Sequence, residues 1–315
     1  MSLINKTQVN PEFSVVIPLY KCSATIEELC TRLINVFEKL NKSFEIILVN
    51  DASPENDWEI ASNLSDSYKS IRSINFSRNF GQHYAITAGL ENAKGNWIVV
   101  MDGDLQDQPE EIENLYNKTK EGFDIVLAKR YQRKDTFYKK MTSIIFYKTF
   151  GYLTDSEYDS TVANFGIYKQ TVIESLMQMK DKIRVFPILI QWVGFHKASI
   201  NVKHEKRKQG ESSYSYKKLF ELAFDIIISF SNKPLKLTIR LGFLITFFSF
   251  LVGILYGYRY FNGEILVEGY TSLIVSIWFL SGVIISSVGV LGLYIGKIFN
   301  GIKDRPYYVI KEMKN

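Results

Sequence analysis

The 315-residue sequence is poor in the residues that cross-link or chelate, with 2 cysteines and 3 histidines. Cys22 and Cys30 fall eight residues apart on one helical pattern, which points to buried thiols in a reducing compartment rather than a disulfide. His83, His196 and His204 are far apart and in no zinc-ligand spacing. The opening stretch MSLINKTQVNPEF has no apolar run, so no secretory signal is expected. No G-x-G-x-x-G follows the first apolar run and no G-x-x-x-x-G-K-[ST] occurs, which excludes the dinucleotide and P-loop phosphate cradles. H-E-x-x-H and G-x-S-x-G are missing too, and with them the parts of zinc-protease and α/β-hydrolase chemistry. Lys and Arg number 38 against 33 Asp and Glu, and a formal charge of +5 is too small to argue for nucleic acid. The last scarcity is regional: residues 238–296 are almost free of charge.

What is present before that region alternates. Phe13–Leu19 (FSVVIPL) reads as a buried strand, and Ile26, Leu29, Cys30, Leu33, Phe37 and Leu40 then mark one face of a helix. Phe44–Asn50, Ile71–Phe76, Trp97–Met101 and Phe123–Ala128 continue the strands, with helices expected near 55–67, 82–93 and 109–121. This order predicts an α/β domain with a mostly parallel sheet, whose ligand site lies at the carboxyl ends of the strands. Those ends carry Asp51, the Ser77-Arg78-Asn79 turn and Asp102-Gly103-Asp104.

The charge-poor region holds two apolar segments, 238–261 and 271–296, each long enough to cross about 30 Å of hydrocarbon. The loop between them carries Glu264 and Glu268 and no Lys or Arg, whereas Lys233, Lys236, Arg240, Lys297, Lys303 and Arg305 flank the pair. The positive-inside rule therefore puts both termini and the α/β domain in the cytoplasm, on a multi-pass inner-membrane protein. The expected divisions are a catalytic domain at 1–212, an interfacial helix and linker at 213–237, two transmembrane helices within 238–296, and a cytoplasmic basic tail at 297–315.

Two carboxylates at i and i+2 after a strand can converge on one hard cation, and Mg²⁺ or Mn²⁺ typically binds one or two carboxylates plus substrate phosphates. At this point the motifs resemble a family. Val15-Val16-Ile17-Pro18-Leu19-Tyr20, Val49-Asn50-Asp51-Ala52-Ser53, Ser77-Arg78-Asn79-Phe80-Gly81 and Met101-Asp102-Gly103-Asp104-Leu105-Gln106-Asp107 occur in order. They are similar to the family-2 inverting glycosyltransferases, in the branch of dolichyl-phosphate mannose synthases and bactoprenol-phosphate glucosyltransferases. Arg207-Lys208-Gln209-Gly210-Glu211-Ser212 and the final Arg305-Pro306-Tyr307-Tyr308 extend the resemblance over nearly the whole chain.

The resemblance implies a GT-A catalytic domain, α/β and Rossmann-like, plus an all-α anchor of two transmembrane helices. It implies transfer of a sugar from a nucleotide diphosphate sugar to a polyprenyl phosphate. Pro18, Tyr20, Asp51, Arg78 and Asp102 would hold the nucleotide sugar, and Asp102, Asp104 and Gln106 would hold Mg²⁺ or Mn²⁺. Arg130 and Arg207 would meet phosphates, with Gly210 and Ser212 completing an acceptor-phosphate loop. Asp159 is the expected acceptor-site carboxylate and Asp155 the reserve. Two departures stand out: Gln108 precedes Pro109 where relatives often have a second proline, and Gly166 occupies the usual arginine position of a G-F-R or D-F-R motif. The alternative enzyme reading is extension of a lipid-linked glycan or polysaccharide, and a non-catalytic scaffold is the alternative from another class. Donor base and sugar stay open, as does a homo-oligomeric state.

Overall fold

The computed structural model of the protein describes residues 10–130, 162–203, 227–228, 231–262 and 269–315. Its first half alternates as expected: β1 (Phe13–Leu19), α1 (Ile26–Leu40), β2 (Phe44–Asn50), α2 (Asp57–Ser67), β3 (Ile71–Phe76), α3 (Gln82–Asn92), β4 (Trp97–Val100), α4 (Glu111–Thr119) and β5 (Ile125–Arg130). Every residue of β1 is buried, the signature of a strand covered on both faces. Helix α1 turns Ile26, Leu29, Cys30, Leu33 and Phe37 inward and stops at Asn41, whose left-handed φ of 52° closes the last turn. Phe37 sits between Phe13 and Phe44 with ring centroids 5.1 and 4.9 Å away. Burying each such side chain contributes about 1.5–3 kcal/mol, so this layer is a principal anchor of the core.

The sheet order is β7-β5-β6-β4-β1-β2-β3-β8. Pairings among β1, β2, β3 and β4 are parallel. β6 (Val162–Lys169) enters antiparallel between β4 and β5, and β7 (Lys197–Val202) lies parallel to β5. Helices α5 (Gln170–Met177) and α6 (Phe186–Trp192) lie between β6 and β7 in the chain. This is the mixed, mostly parallel α/β sheet of GT-A type expected from the sequence. Strand order runs outward from β1 to β3 on one side and restarts with β4 on the other. The crevice of such a sheet opens where the order reverses, between the carboxyl ends of β1 and β4.

One expectation for the C-terminus differs from the structure. Residues 310–314, expected as part of a basic tail, form β8 (Ile310–Lys314), antiparallel to β3 with Ser73 opposite Lys314 and Ile74 opposite Met313. The strand covers an edge of β3 that would otherwise present unpaired backbone groups. Lys314 Nζ lies 2.6 Å from Asp66 Oδ2 and fastens its end.

The chain divides into two compact units, and residues 305–315 belong to the unit that holds the sheet. The other contains the long helices α7 (Lys233–Phe261) and α8 (Tyr270–Ile302), of 29 and 33 residues. Both run past the apolar segments themselves, to Lys233 at one end and Ile302 at the other. Their most apolar stretches have mean hydropathy 1.8 and 1.9 and none of it is buried inside the protein. Phe243, Trp278 and Ile285 are each more than two-thirds exposed, an arrangement unsuited to water. The expected interfacial helix falls mostly on 204–226, outside the described residues.

Candidate active site

The ladder of β4 continues through Met101, whose N–H reaches the Val16 carbonyl at 3.2 Å, and then releases the chain into Asp102-Gly103-Asp104. Burial alternates from there: Met101, Gly103, Leu105 and Asp107 are buried, while Asp102, Asp104 and Gln106 are half-buried. The three expected metal-side residues thus share the outward side of one turn. Gly103 makes this possible, because a Cβ there would stand 3.1 Å from Leu19 Cδ2 and 3.2 Å from Cys22 Sγ. Thr25, just before α1, donates its hydroxyl proton to the Gly103 carbonyl at 2.6 Å. Leu105 takes a left-handed φ of 57° and buries its side chain, so the turn folds back under itself. Asp104 Oδ1 accepts the Gln106 N–H at 3.2 Å, and Asp102 Oδ1 accepts Gln82 Nε2 at 2.8 Å.

Gln108 is buried and bridges the turn to α1. Its Nε2 donates to the Leu105 carbonyl at 3.1 Å, and its Oε1 accepts Arg32 Nη2 at 2.5 Å. Arg32 also grips Glu110, Nε to Oε1 at 2.9 Å, which holds that carboxyl below its ordinary value.

Asp51, at the end of β2, is 2% exposed, and both its oxygens accept backbone protons, from Phe80 at 2.7 Å and Gly81 at 2.8 Å. Burial pushes its carboxyl above the ordinary value, and the two N–H groups with the Arg78 charge work against that rise. The carboxylate therefore pins the lead-in to α3, whose first residue is the Gln82 that holds Asp102. Arg78 lays its guanidinium over the Phe80 ring, 4.2 Å from the centroid.

The remaining expected residues distribute as follows. Pro18 is buried at the end of β1, its carbonyl 3.4 Å from where a Gly103 Cβ would stand. Tyr20, next along, is 37% exposed at the same strand end. Arg130 closes β5 opposite Val202 on β7. Asp155, Asp159, Arg207, Gly210 and Ser212 lie outside the described residues. Gly166 sits mid-sheet between Val100 and Leu127, and a Cβ there would meet Tyr168 Oη at 2.9 Å and the Val126 carbonyl at 3.0 Å. Tyr168 fills that space, so an arginine at 166 would require ring and strand to shift.

Among the described residues no group of three or more His, Cys, Asp or Glu gathers around a point. A zinc centre is therefore not built from them. Two carboxylates and an amide on one side of a turn suit a hard cation that takes its other ligands from phosphate oxygens. Sequence reading missed Gln82, Thr25 and Arg32. Only Gln82 left a signal, as the polar first residue of a helix that starts at a strand's carboxyl end.

The description of Glycosyl transferase family 2 matches residues 14–186. The chain is 36% identical over 302 residues to an uncharacterized glycosyltransferase, YkcC, of Bacillus subtilis (strain 168), covering 96% of this chain and 94% of that one. It is 33% identical over 310 residues to undecaprenyl-phosphate 4-deoxy-4-formamido-L-arabinose transferase of Shewanella sediminis (strain HAW-EB3), covering 95% and 92%. Among solved structures, glucosyl-3-phosphoglycerate synthase from Mycobacterium tuberculosis superposes with a TM-score of 0.47 at 16% identity, over 70% of this chain and 77% of that one. That likeness is too slight to argue from.

Proposed function

Because the chain belongs to glycosyl transferase family 2, we propose that it moves a sugar from a nucleoside diphosphate sugar to a polyprenyl phosphate at the cytoplasmic face of a membrane. The observation that carries the acceptor class is the match to undecaprenyl-phosphate sugar transferases over 95% of the chain, an extent that takes in the apolar helices. The runner-up, extension of a lipid-linked glycan, has no comparable support.

The chain path supports the topology. It leaves the sheet, passes through two long apolar helices and returns to the same sheet as β8. Two crossings bring both ends to one side of a bilayer, and the Lys and Arg flanks favour the cytoplasmic side. The basic residues Lys129, Arg130, Arg133, Lys134, Lys139 and Lys140 and the stretch Lys203–Lys208 would draw the sheet unit to an anionic leaflet, at about 1 kcal/mol per residue near the surface.

In the proposed reaction an acceptor phosphate oxygen forms a bond to the anomeric carbon as the bond to the nucleoside diphosphate breaks, with inversion. A phosphate monoester has a second pKa of about 6 and is largely a dianion at pH 7, so no proton has to be removed first. Asp159, or Asp155, then orients the acceptor rather than acting as a base. Asp102, Asp104 and Gln106 would hold Mg²⁺ or Mn²⁺, which when bound neutralises charge on the diphosphate. Gln82 and Thr25 keep that turn in place. Pro18, Tyr20, Asp51, Arg78 and Asp102 are the proposed nucleotide-sugar contacts, and Arg130, Arg207, Gly210 and Ser212 the proposed phosphate contacts.

The test is transfer of radiolabelled sugar from a panel of nucleotide sugars in membranes carrying the chain or its Asp104→Ala variant, with polyprenyl phosphate and divalent metal supplied. Label is expected in the organic phase from one donor, and it should be lost in the variant and with chelator. Label confined to a water-soluble or polymeric product would move the assignment to the runner-up.

A further inference from the structure

We propose that residues 305–310, the stretch that follows the second apolar helix, position the donor-side loop Ser77–Gln82 through Tyr308. The inference rests on the nucleotide-sugar reading above and adds a residue that the reading does not use. The ladder between β3 and β8 ends at Phe76 and Ile310, yet the contacts continue beyond it. Ser77 donates its N–H to the Val309 carbonyl at 3.0 Å. The Tyr308 ring stacks on Phe76, centroids 4.9 Å apart and planes 17° apart. Phe76 meets Phe80 edge-on at 5.6 Å, and Phe80 bears the Arg78 guanidinium. Tyr308 also donates its hydroxyl proton to the Glu91 carboxylate on α3.

A second set of contacts fixes the same stretch from the other direction. Lys182 Nζ donates to the Arg305 carbonyl at 3.2 Å, and the Lys182 carbonyl accepts the Tyr84 hydroxyl of α3 at 3.0 Å. The Tyr307 ring has Lys182 Nζ 5.4 Å and the Arg184 guanidinium 5.3 Å from its centroid. Helix α3 and its lead-in are thus held by Asp51 on one side and by residues 305–309 on the other. The helix begins with Gln82, the partner of Asp102. Aromatic rings have few torsions, so a row of three of them sets the place of Arg78 with little slack.

The test is calorimetric titration of the full-length chain in detergent with UDP and with GDP, in the presence of Mn²⁺. The variants are Tyr308→Ala, Tyr308→Phe and Lys314→Ala. The last breaks the ion pair at the far end of β8 and leaves the loop contacts intact, so it reports on the strand edge alone. Wild type should bind one of the two nucleotides, and Tyr308→Ala should bind it about tenfold more weakly, the scale of a lost aromatic pair. Tyr308→Phe keeps the stack and should recover most of the affinity, and Lys314→Ala should match wild type. Unchanged binding in a folded Tyr308→Ala protein overturns the inference, as does an equal loss in Lys314→Ala. Wild type that binds neither nucleotide overturns the nucleotide-sugar reading, and this inference with it.

Discussion

The turn after β2 and the turn after β4 start from the same material, an apolar run that ends in aspartate at a strand's carboxyl end. Asp51 is 2% exposed and gives both oxygens to backbone N–H groups of the next loop. Asp102 and Asp104 are half-buried, with glycine between them and with their backbone held from α1 through Thr25. A carboxylate that satisfies two buried backbone donors is part of the scaffold, because moving it would strand those donors. The carboxylates after β4 instead sit in a turn whose backbone Thr25 holds. The two turns differ in what holds them.

Paired substitutions test the contrast most severely. Asp104→Ala should cut sugar transfer by about 10²–10³-fold, the scale of removing one group that stabilises developing charge, with the melting temperature nearly unchanged. Asp51→Asn should show in stability as well. An amide can accept from one of the two N–H groups and turns its NH2 on the other, so stability should fall by about 1–3 kcal/mol in thermal or denaturant unfolding. Equal melting temperatures for the two variants would erase the distinction between the turns.

A smaller effect is expected one layer back. Arg32 reaches the Leu105 carbonyl through Gln108. Arg32→Ala should raise the Mn²⁺ concentration needed for half-maximal transfer by about tenfold, as loss of an outer support commonly does at metal sites. Measured at saturating metal, the rate should return close to wild type. A rate that stays low at saturating metal would mean that Arg32 supports something other than a metal site in the turn after β4.

Strands and helices through β5 were legible within two or three residues, because buried strands and one-sided helices print their periods on the sequence. β8 was not. IKEMK carries three charges in five residues and lies almost wholly exposed at the sheet edge, so nothing local separates it from a solvated tail. Its partner Ser73 lies near the other end of the chain, and such pairing is decided by the fold. The site followed the same rule. Asp102 and Asp104 are singled out by their place after a strand, whereas Gln82 and Arg32 meet their partners across 20 and 76 residues of sequence, and of these two only Gln82 leaves a signal, as the polar first residue of a helix. The sequence also could not separate Asp51 from Asp102, since burial and partners distinguish them and residue type does not.

The smallest expected effect sits between the two turns, at Cys22. Its N–H donates to Asp57 Oδ2 at 3.0 Å and its sulfur lies against the Tyr20 carbonyl at 3.5 Å. Burial pushes the thiol up to about 12, and the negative charges of Asp57, Asp104 and Asp102 add to the rise. Burial likewise pushes Cys30 up to about 12, with only the Glu27 charge helping. The thiolate is the reactive form, so at pH 8 neither cysteine of the folded protein should take iodoacetamide, while both should after denaturation. Mass spectrometry of the labelled peptides reads this directly. Cys30 lies in the α1 core and reports only on global unfolding, whereas Cys22 lies beside Gly103 in the turn after β4. Labelling of Cys22 with Cys30 still protected would show that the turn opens on its own, and the hold attributed to Gln82 and Thr25 would then be wrong.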